Sequence, residues 1–206
     1  VRIAIHSDHP EPRKIRLVVE ELDRGGVIAY PTDTVYGLGC DILNRKAIDK
    51  LYQIRAIAKD QLLSFICHDL SGIARYAFVD DTAYRIMKHL VPGPYTFILK
   101  ATREVPKVLM MKRKTVGIRI PARPIALALA RELGRPILSA SAKVKGEYLV
   151  DPGEIDRQFH GLAMVIDADT GGMKPSTIID LSADPPVIVR QGAGPIYFDS
   201  WYPPAL

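Results

Sequence analysis

Ala29-Tyr30-Pro31-Thr32-Asp33-Thr34-Val35-Tyr36-Gly37-Leu38-Gly39-Cys40-Asp41 is the stretch on which the reading of this chain turns. Immediately before it, Gly25-Gly26 leads into a short apolar run, Val27 to Tyr30, which reads as a buried strand. Pro31 has no N–H to give a sheet, so the strand should stop there. Thr32, Asp33 and Thr34 then place two hydroxyls and a carboxylate just past the strand end, with Tyr36 beyond them. Gly37 and Gly39 would let the backbone turn, or come close to another segment. Polar groups held at the end of a rigid strand are what a small-molecule pocket needs. An ordinary strand exit with hydroxyl turns would look the same in sequence.

Outward from this stretch, strand and helix signals alternate irregularly. Arg2 to Ile5 reads as a strand, and Ser7 or Asp8 could cap the helix that follows. Ile15, Val18, Val19 and Leu22 fall at i, i+3, i+4 and i+7, the stripe of an amphipathic helix ending at Gly25. Asn44 can cap a second helix that turns Ala47, Ile48, Leu51 and Ile54 inward and delivers Arg55 at its end, with Lys59 shortly after. Leu62 to Cys67 is a buried strand, Asp80-Asp81 opens a helix through Leu90, and Tyr95 to Ala101 is a strand. Val116 to Ile120 is a strand carrying Arg119, and Pro124 and Gly134 bracket another helix. Ile137-Leu138 leads to Ser139-Ala140-Ser141, and Asp151 caps a short helix at Pro152. Val165-Ile166, Ile178 to Leu181 and Val187 to Arg190 are further strands. Some strand pairs have no helix between them, which predicts a mixed sheet in a single α/β or α+β domain over residues 1–206. Residues 193–206, with Pro203-Pro204, read as a surface tail.

Composition bounds the function. The 206 residues are 48% apolar and 25% charged, and no apolar run reaches the roughly 18 residues of a membrane span. No signal-type segment opens the sequence as given, and Cys40 and Cys67 lie far apart. That suits a reducing, cytoplasmic setting and argues against a disulfide scaffold or a zinc site. The net charge of +5 favours phosphate-bearing partners. No G-x-x-x-x-G-K-[ST] loop is present, and Ile42 stands where a dinucleotide fingerprint needs its third glycine. No G-x-S-x-G elbow marks Ser139 as a nucleophile, and His6 and His9 lack acidic or cysteine partners for a metal. What remains is binding chemistry. Hydroxyls (Thr32, Thr34, Ser139, Ser141, Ser176, Thr177) and arginines (Arg55, Arg119, Arg190) fall at or near element ends, where they could converge on a polyanion. Lys100, Arg103, Lys107, Lys112, Arg113 and Lys114 form a separate basic cluster.

At these residues the sequence resembles the YrdC/YciO family, whose members include threonylcarbamoyl-AMP synthases. The resemblance runs from Gly25 to about Gly192 and is most specific at Pro31 to Gly39. Pro92-Gly93-Pro94-Tyr95-Thr96, Gly117 to Pro121, Ser139-Ala140-Ser141, Pro175 to Asp180 and Arg190-Gln191-Gly192 support it. Tyr76 to Asp80 and Glu104 to Pro106 look most like the YciO branch. The resemblance implies a twisted mixed open sheet with helices around a deep basic cavity. It implies ATP, L-threonine and bicarbonate as substrates, magnesium arriving with ATP rather than in a protein cage, and threonylcarbamoyl-AMP and pyrophosphate as products, for tRNA modification. It also implies an affinity for double-stranded RNA or tRNA, for which Lys112, Arg113 and Lys114 would be the contacts. By this resemblance Arg55 is the catalytic phosphate contact, Thr34, Arg119 and Ser176 hold threonine, and Ser139, Ser141 and Arg190 hold the nucleotide. Lys59 could reach in beside Arg55.

Two departures from the resemblance bear on activity. The family's synthases carry Lys-x-Arg where this chain has Arg55-Ala56-Ile57, and Ser-x-Asn where it has Ser139-Ala140-Ser141. A smaller one is Ile66, where many synthases have histidine. Losing one charge-assisted phosphate contact costs about 1.5–3 kcal/mol. Two readings therefore stand side by side: a nucleotidyltransferase of weakened or altered activity, and a non-catalytic double-stranded RNA/tRNA- or nucleotide-binding protein. A stable domain with an incidental basic surface is the third.

Overall fold

The structure is a computed structural model, and it describes residues 1–58, 61, 63–110 and 114–196. In chain order the strands and α-helices are β1 (Arg2–Ala4), α1 (Pro12–Asp23), β2 (Ile28–Tyr30), β3 (Gly37–Asp41), α2 (Arg45–Arg55), β4 (Ser64–Ile66), β5 (Ala77–Phe78), α3 (Asp81–Leu90), β6 (Tyr95–Ala101), β7 (Thr115–Arg119), α4 (Pro124–Leu133), β8 (Ile137–Ser141), β9 (Lys143–Val144), β10 (Glu147–Tyr148), α5 (Pro152–Gln158), β11 (Met164–Asp167), β12 (Thr177–Asp180) and β13 (Val187–Arg190). Single 3-10 turns lie at Ile73–Arg75 and Lys107–Leu109.

One mixed sheet runs β1-β11-β2-β3-β8-β4-β7-β6-β12-β13, with β5 on the far part of β6; β9 and β10 form a separate hairpin. Four pairs are parallel (β1/β11, β11/β2, β4/β7, β6/β12) and the other pairs of the path are antiparallel, a mixed sheet as the irregular order of elements predicts. Successive strand residues face opposite sides. On β2, Ile28 and Tyr30 join a core with Val18 and Leu22 of α1 and Leu129 and Leu133 of α4. Val27 and Ala29 join the other core, with Leu51 of α2, Met87 of α3 and Ile155 of α5. The sheet is thus covered on both faces.

The helix ends follow local chemistry. Asn44 Oδ1 accepts from Ala47 N at 3.1 Å, Asp80 Oδ1 from Ala83 N at 2.8 Å, and Asp151 Oδ1 from Glu154 N at 2.7 Å. The start of α1 departs from expectation. Neither Ser7 nor Asp8 caps it; Glu11 is the N-cap, without a side-chain bond, and Pro12 follows. Proline at that position removes a donor that would otherwise need a partner. Ser7 is engaged elsewhere, accepting from Arg123 Nη2 at 3.2 Å.

Of the two roles the sequence leaves open for Gly37 and Gly39, close approach is the one realised in Gly37 to Asp41. These residues form no turn but a fully buried strand between β2 and β8, in register Tyr30↔Gly37 and Gly39↔Ser139. A Cβ on Gly39 would lie 2.6 Å from Ile137 Cγ2 and 2.8 Å from Tyr30 Cε1, and one on Gly37 would lie 2.9 Å from Ser139 Oγ. The Tyr30 ring therefore lies across the strand where side chains would otherwise stand.

Burial pushes the thiols of Cys40 and Cys67 and the phenols of Tyr30 and Tyr36 up, Cys67 and Tyr36 to about 12. These groups ionise at ordinary values in the unfolded chain and stay protonated in the folded one. Stability is then complete below about pH 8 and falls as pH rises toward 12, by up to about 1.4 kcal/mol per pH unit for each group. Denaturant unfolding at pH 6, 7 and 10.5 should show no loss over the first interval and a steep loss over the second. Equal stability at pH 7 and 10.5 would contradict the assignment.

Candidate active site

The alternating strand directions bring unlike ends together. Tyr95↔Thr177 and Phe97↔Ile118 set the starts of β6 and β12 beside the finish of β7, and Ile178↔Arg190 adds the finish of β13. Arg55, Arg119 and Arg190 are the last residues of α2, β7 and β13. All three line one cavity of about 860 Å³, mouth included, together with Thr96, Ser139, Ser141 and Ser176. Ser139 lies inside β8, not beyond its end as the sequence suggests, and reaches the cavity because the glycines of β3 leave room beside it.

Each polar group has a defined neighbour. Tyr30 Oη donates to Ser139 Oγ at 2.6 Å, and burial keeps that phenol protonated, so the serine is left free to donate its own proton outward. The hydroxyls of Thr96 and Ser176 lie 2.8 Å apart. Arg190, exposed at the mouth, grips the Ser176 carbonyl through Nε at 3.1 Å and Nη2 at 2.8 Å. Arg119 is 7% exposed. Its Nη2 donates to Asp33 Oδ1 at 2.5 Å, Thr34 Oγ1 at 2.6 Å and Thr32 Oγ1 at 3.2 Å. Asp33 is anchored in turn by Ala122 N–H on Oδ2 at 2.9 Å. Arg119 Nε is buried with no partner. Thr34 thus stands one layer behind the wall, holding Arg119, rather than on the wall itself.

Arg55 is half-buried, and burial lowers its pKa. Its Nη1 donates to the Lys143 carbonyl, while Nε is buried without a partner. Ile57 also lines the cavity, with its back against the main core. Ile66 is on the wall too. The Lys59 expected beside Arg55 lies outside the described residues, as do Lys112 and Arg113. Lys114 is exposed next to Lys100 at the other end of β6 and β7, so these two lysines of the basic cluster stand away from the cavity. Sequence reading missed Lys143 and Tyr148, which also line the cavity from the β9–β10 hairpin. A signal was there: Lys145-Gly146, with φ of +48° and +96°, is the two-residue turn that closes such a hairpin.

The wall therefore presents four cations (Arg55, Arg119, Lys143, Arg190), several hydroxyls and, among the described residues, no carboxylate. Arg119 is balanced by Asp33, and the other three cations give the cavity a positive charge that suits a polyanion.

Comparison with known proteins agrees with the architecture. The Sua5/YciO/YrdC family model, described as telomere recombination, matches residues 20–192. The uncharacterized protein YciO of Escherichia coli K12 is 45% identical over 196 residues, spanning 93% of this chain and 95% of that one. Its crystal structure superposes with a TM-score of 0.90 at 44% identity, over 95% of this chain and 97% of that one. The threonylcarbamoyl-AMP synthase of Methylobacillus flagellatus is 34% identical over 171 residues, covering 82% of this chain and 95% of that protein. The crystal structure of Pyrococcus abyssi Sua5 complexed with L-threonine matches with a TM-score of 0.87 at 30% identity, over 93% of this chain and 57% of that one. With a matching family model over most of its length and relatives of this identity and coverage, the chain belongs to the Sua5/YciO/YrdC family.

Proposed function

We propose that the chain makes an acyl adenylate from ATP, an amino acid and bicarbonate, with L-threonine as the amino acid. The observation that carries this is the cavity wall of four cations and hydroxyls without a carboxylate. Support comes from the relatives called threonylcarbamoyl-AMP synthases and from the Sua5 structure complexed with L-threonine. In the reaction the threonine amine takes up carbon dioxide from bicarbonate as a carbamate. A carbamate oxygen attacks the α-phosphorus, the bond to the β-phosphate oxygen breaks, and pyrophosphate leaves. Such a transfer needs positioning and charge neutralisation more than covalent help. Arg55, Ser139, Ser141 and Arg190 would hold the nucleotide. Arg119 and Ser176, with Thr34 behind Arg119, would hold threonine through its carboxylate and hydroxyl. Magnesium would ride on the phosphate oxygens, because the described wall offers cations and hydroxyls rather than carboxylate ligands.

The test is purified protein with ATP, threonine and bicarbonate, followed for pyrophosphate and a new adenylate. Both should appear, and omission of either threonine or bicarbonate should abolish both. Retention of ATP or duplex RNA without turnover would instead favour the binding module. The exposed row of Lys100, Arg103, Lys107 and Lys114 is what favours that second reading, through phosphate contacts that weaken with salt.

A further inference from the structure

Lys143 has no counterpart among the contacts expected from the sequence, yet it lines the same cavity as Arg55. Its backbone carbonyl accepts from Arg55 Nη1, so the hairpin that carries the lysine is tied to the helix end that carries the arginine. Its Nζ lies 4.9 Å from the centroid of the Tyr148 ring. An aromatic face restrains an ammonium without neutralising it. Among the described residues no carboxylate lies within ion-pair distance of Lys143 or Arg55. Arg55 Nε is buried and unpartnered. Two uncompensated cations, positioned together, match a ligand of several negative charges better than one of a single charge. We propose that Lys143 is a phosphate-binding residue of this cavity, paired with Arg55 on the pyrophosphoryl part of a nucleoside triphosphate. It provides the second positive charge that Ile57 cannot. The proposal rests on the cavity being a triphosphate site, as above.

A lysine is a compact, strongly hydrated charge on a flexible stem, suited to following a phosphate that departs. The measurement is calorimetric binding of inorganic pyrophosphate, ATP and AMP to the full chain and to Lys143→Gln and Lys143→Arg, with melting temperatures alongside. Lys143→Gln should weaken pyrophosphate and ATP by at least tenfold and AMP by less than threefold. Lys143→Arg should stay within threefold of the parent for all three, and both variants should melt with the parent. Unchanged pyrophosphate and ATP affinity in Lys143→Gln, or equal loss of AMP, would overturn the proposal. If the parent makes adenylate and Lys143→Gln binds as it does, only the role of Lys143 falls. If Lys143→Gln loses pyrophosphate while the parent makes no adenylate, the role stands and the synthase reading falls. A parent that binds no pyrophosphate overturns both.

Discussion

Replacing Arg119 with methionine is expected to cost about 3–5 kcal/mol of folding stability, as removing one partner of a buried ion pair does. The side chains of Arg119 and Asp33 are 8% and 10% exposed and sit 2.5 Å apart. Methionine would leave the Asp33 carboxylate buried with only the Ala122 N–H, and would take the guanidinium from Thr32 and Thr34, which keep their own mutual bonds. Adding Asp33→Asn to the methionine variant should recover much of the loss, because the stranded charge is removed. Arg119→Lys keeps a charge beside Asp33 but not the planar fork. It should fold, bind ATP as the parent does, and lose threonine affinity tenfold or more. Urea unfolding of the four proteins decides the first point and threonine titration the second. A methionine variant as stable as its parent would mean that Asp33 does not depend on Arg119.

Arg55→Met should have the largest effect on ligand binding. One charge-assisted contact is worth about 1.5–3 kcal/mol, a factor of roughly ten to a hundred and fifty. The guanidinium also anchors the Lys143 carbonyl, so its loss releases the hairpin that carries the second cation. Groups tied together in this way are lost together, so the effect is not that of one contact alone. A fall of more than a hundredfold in ATP affinity is expected, with the melting temperature unchanged or slightly higher because a half-buried cation is gone. Arg55→Lys should recover the charge without the anchor and fall between the two. A loss below threefold in the methionine variant would remove Arg55 from the nucleotide site.

The elements with strong local signals were readable in the sequence. The stripe Ile15, Val18, Val19, Leu22 and the caps Asn44, Asp80 and Asp151 describe single helices, and local rules suffice for those. The placement of Arg55, Arg119 and Arg190 at element ends was also readable, and it is what lets them meet. β3 was not readable, because Gly-Leu-Gly-Cys-Asp has the composition of a turn. Only the Tyr30 ring, folded across it from the neighbouring strand, makes glycine the residue that fits. The position of Thr34 behind Arg119 depends on a contact 85 residues away in sequence, which spacing cannot show. Lys143 was hidden for a similar reason: its significance comes from the Arg55 bond, 88 residues distant. Ile57 could be read as either wall or core, and it is both.

The uncompensated charges of the cavity also bear on the folded state itself. Arg55, Lys143 and Arg190 face a shared space with no described carboxylate on its wall, so a bound anion, under the proposed function, would relieve a repulsion in the empty protein. Ligand at a hundred times its dissociation constant adds about 2.7 kcal/mol to the folded state by mass action alone. Under the proposed function, occupancy and persistence would be one variable for this chain. When polyanions were scarce, empty molecules would then be the ones nearest to unfolding, and a protease that samples the unfolded fraction would remove them before occupied ones.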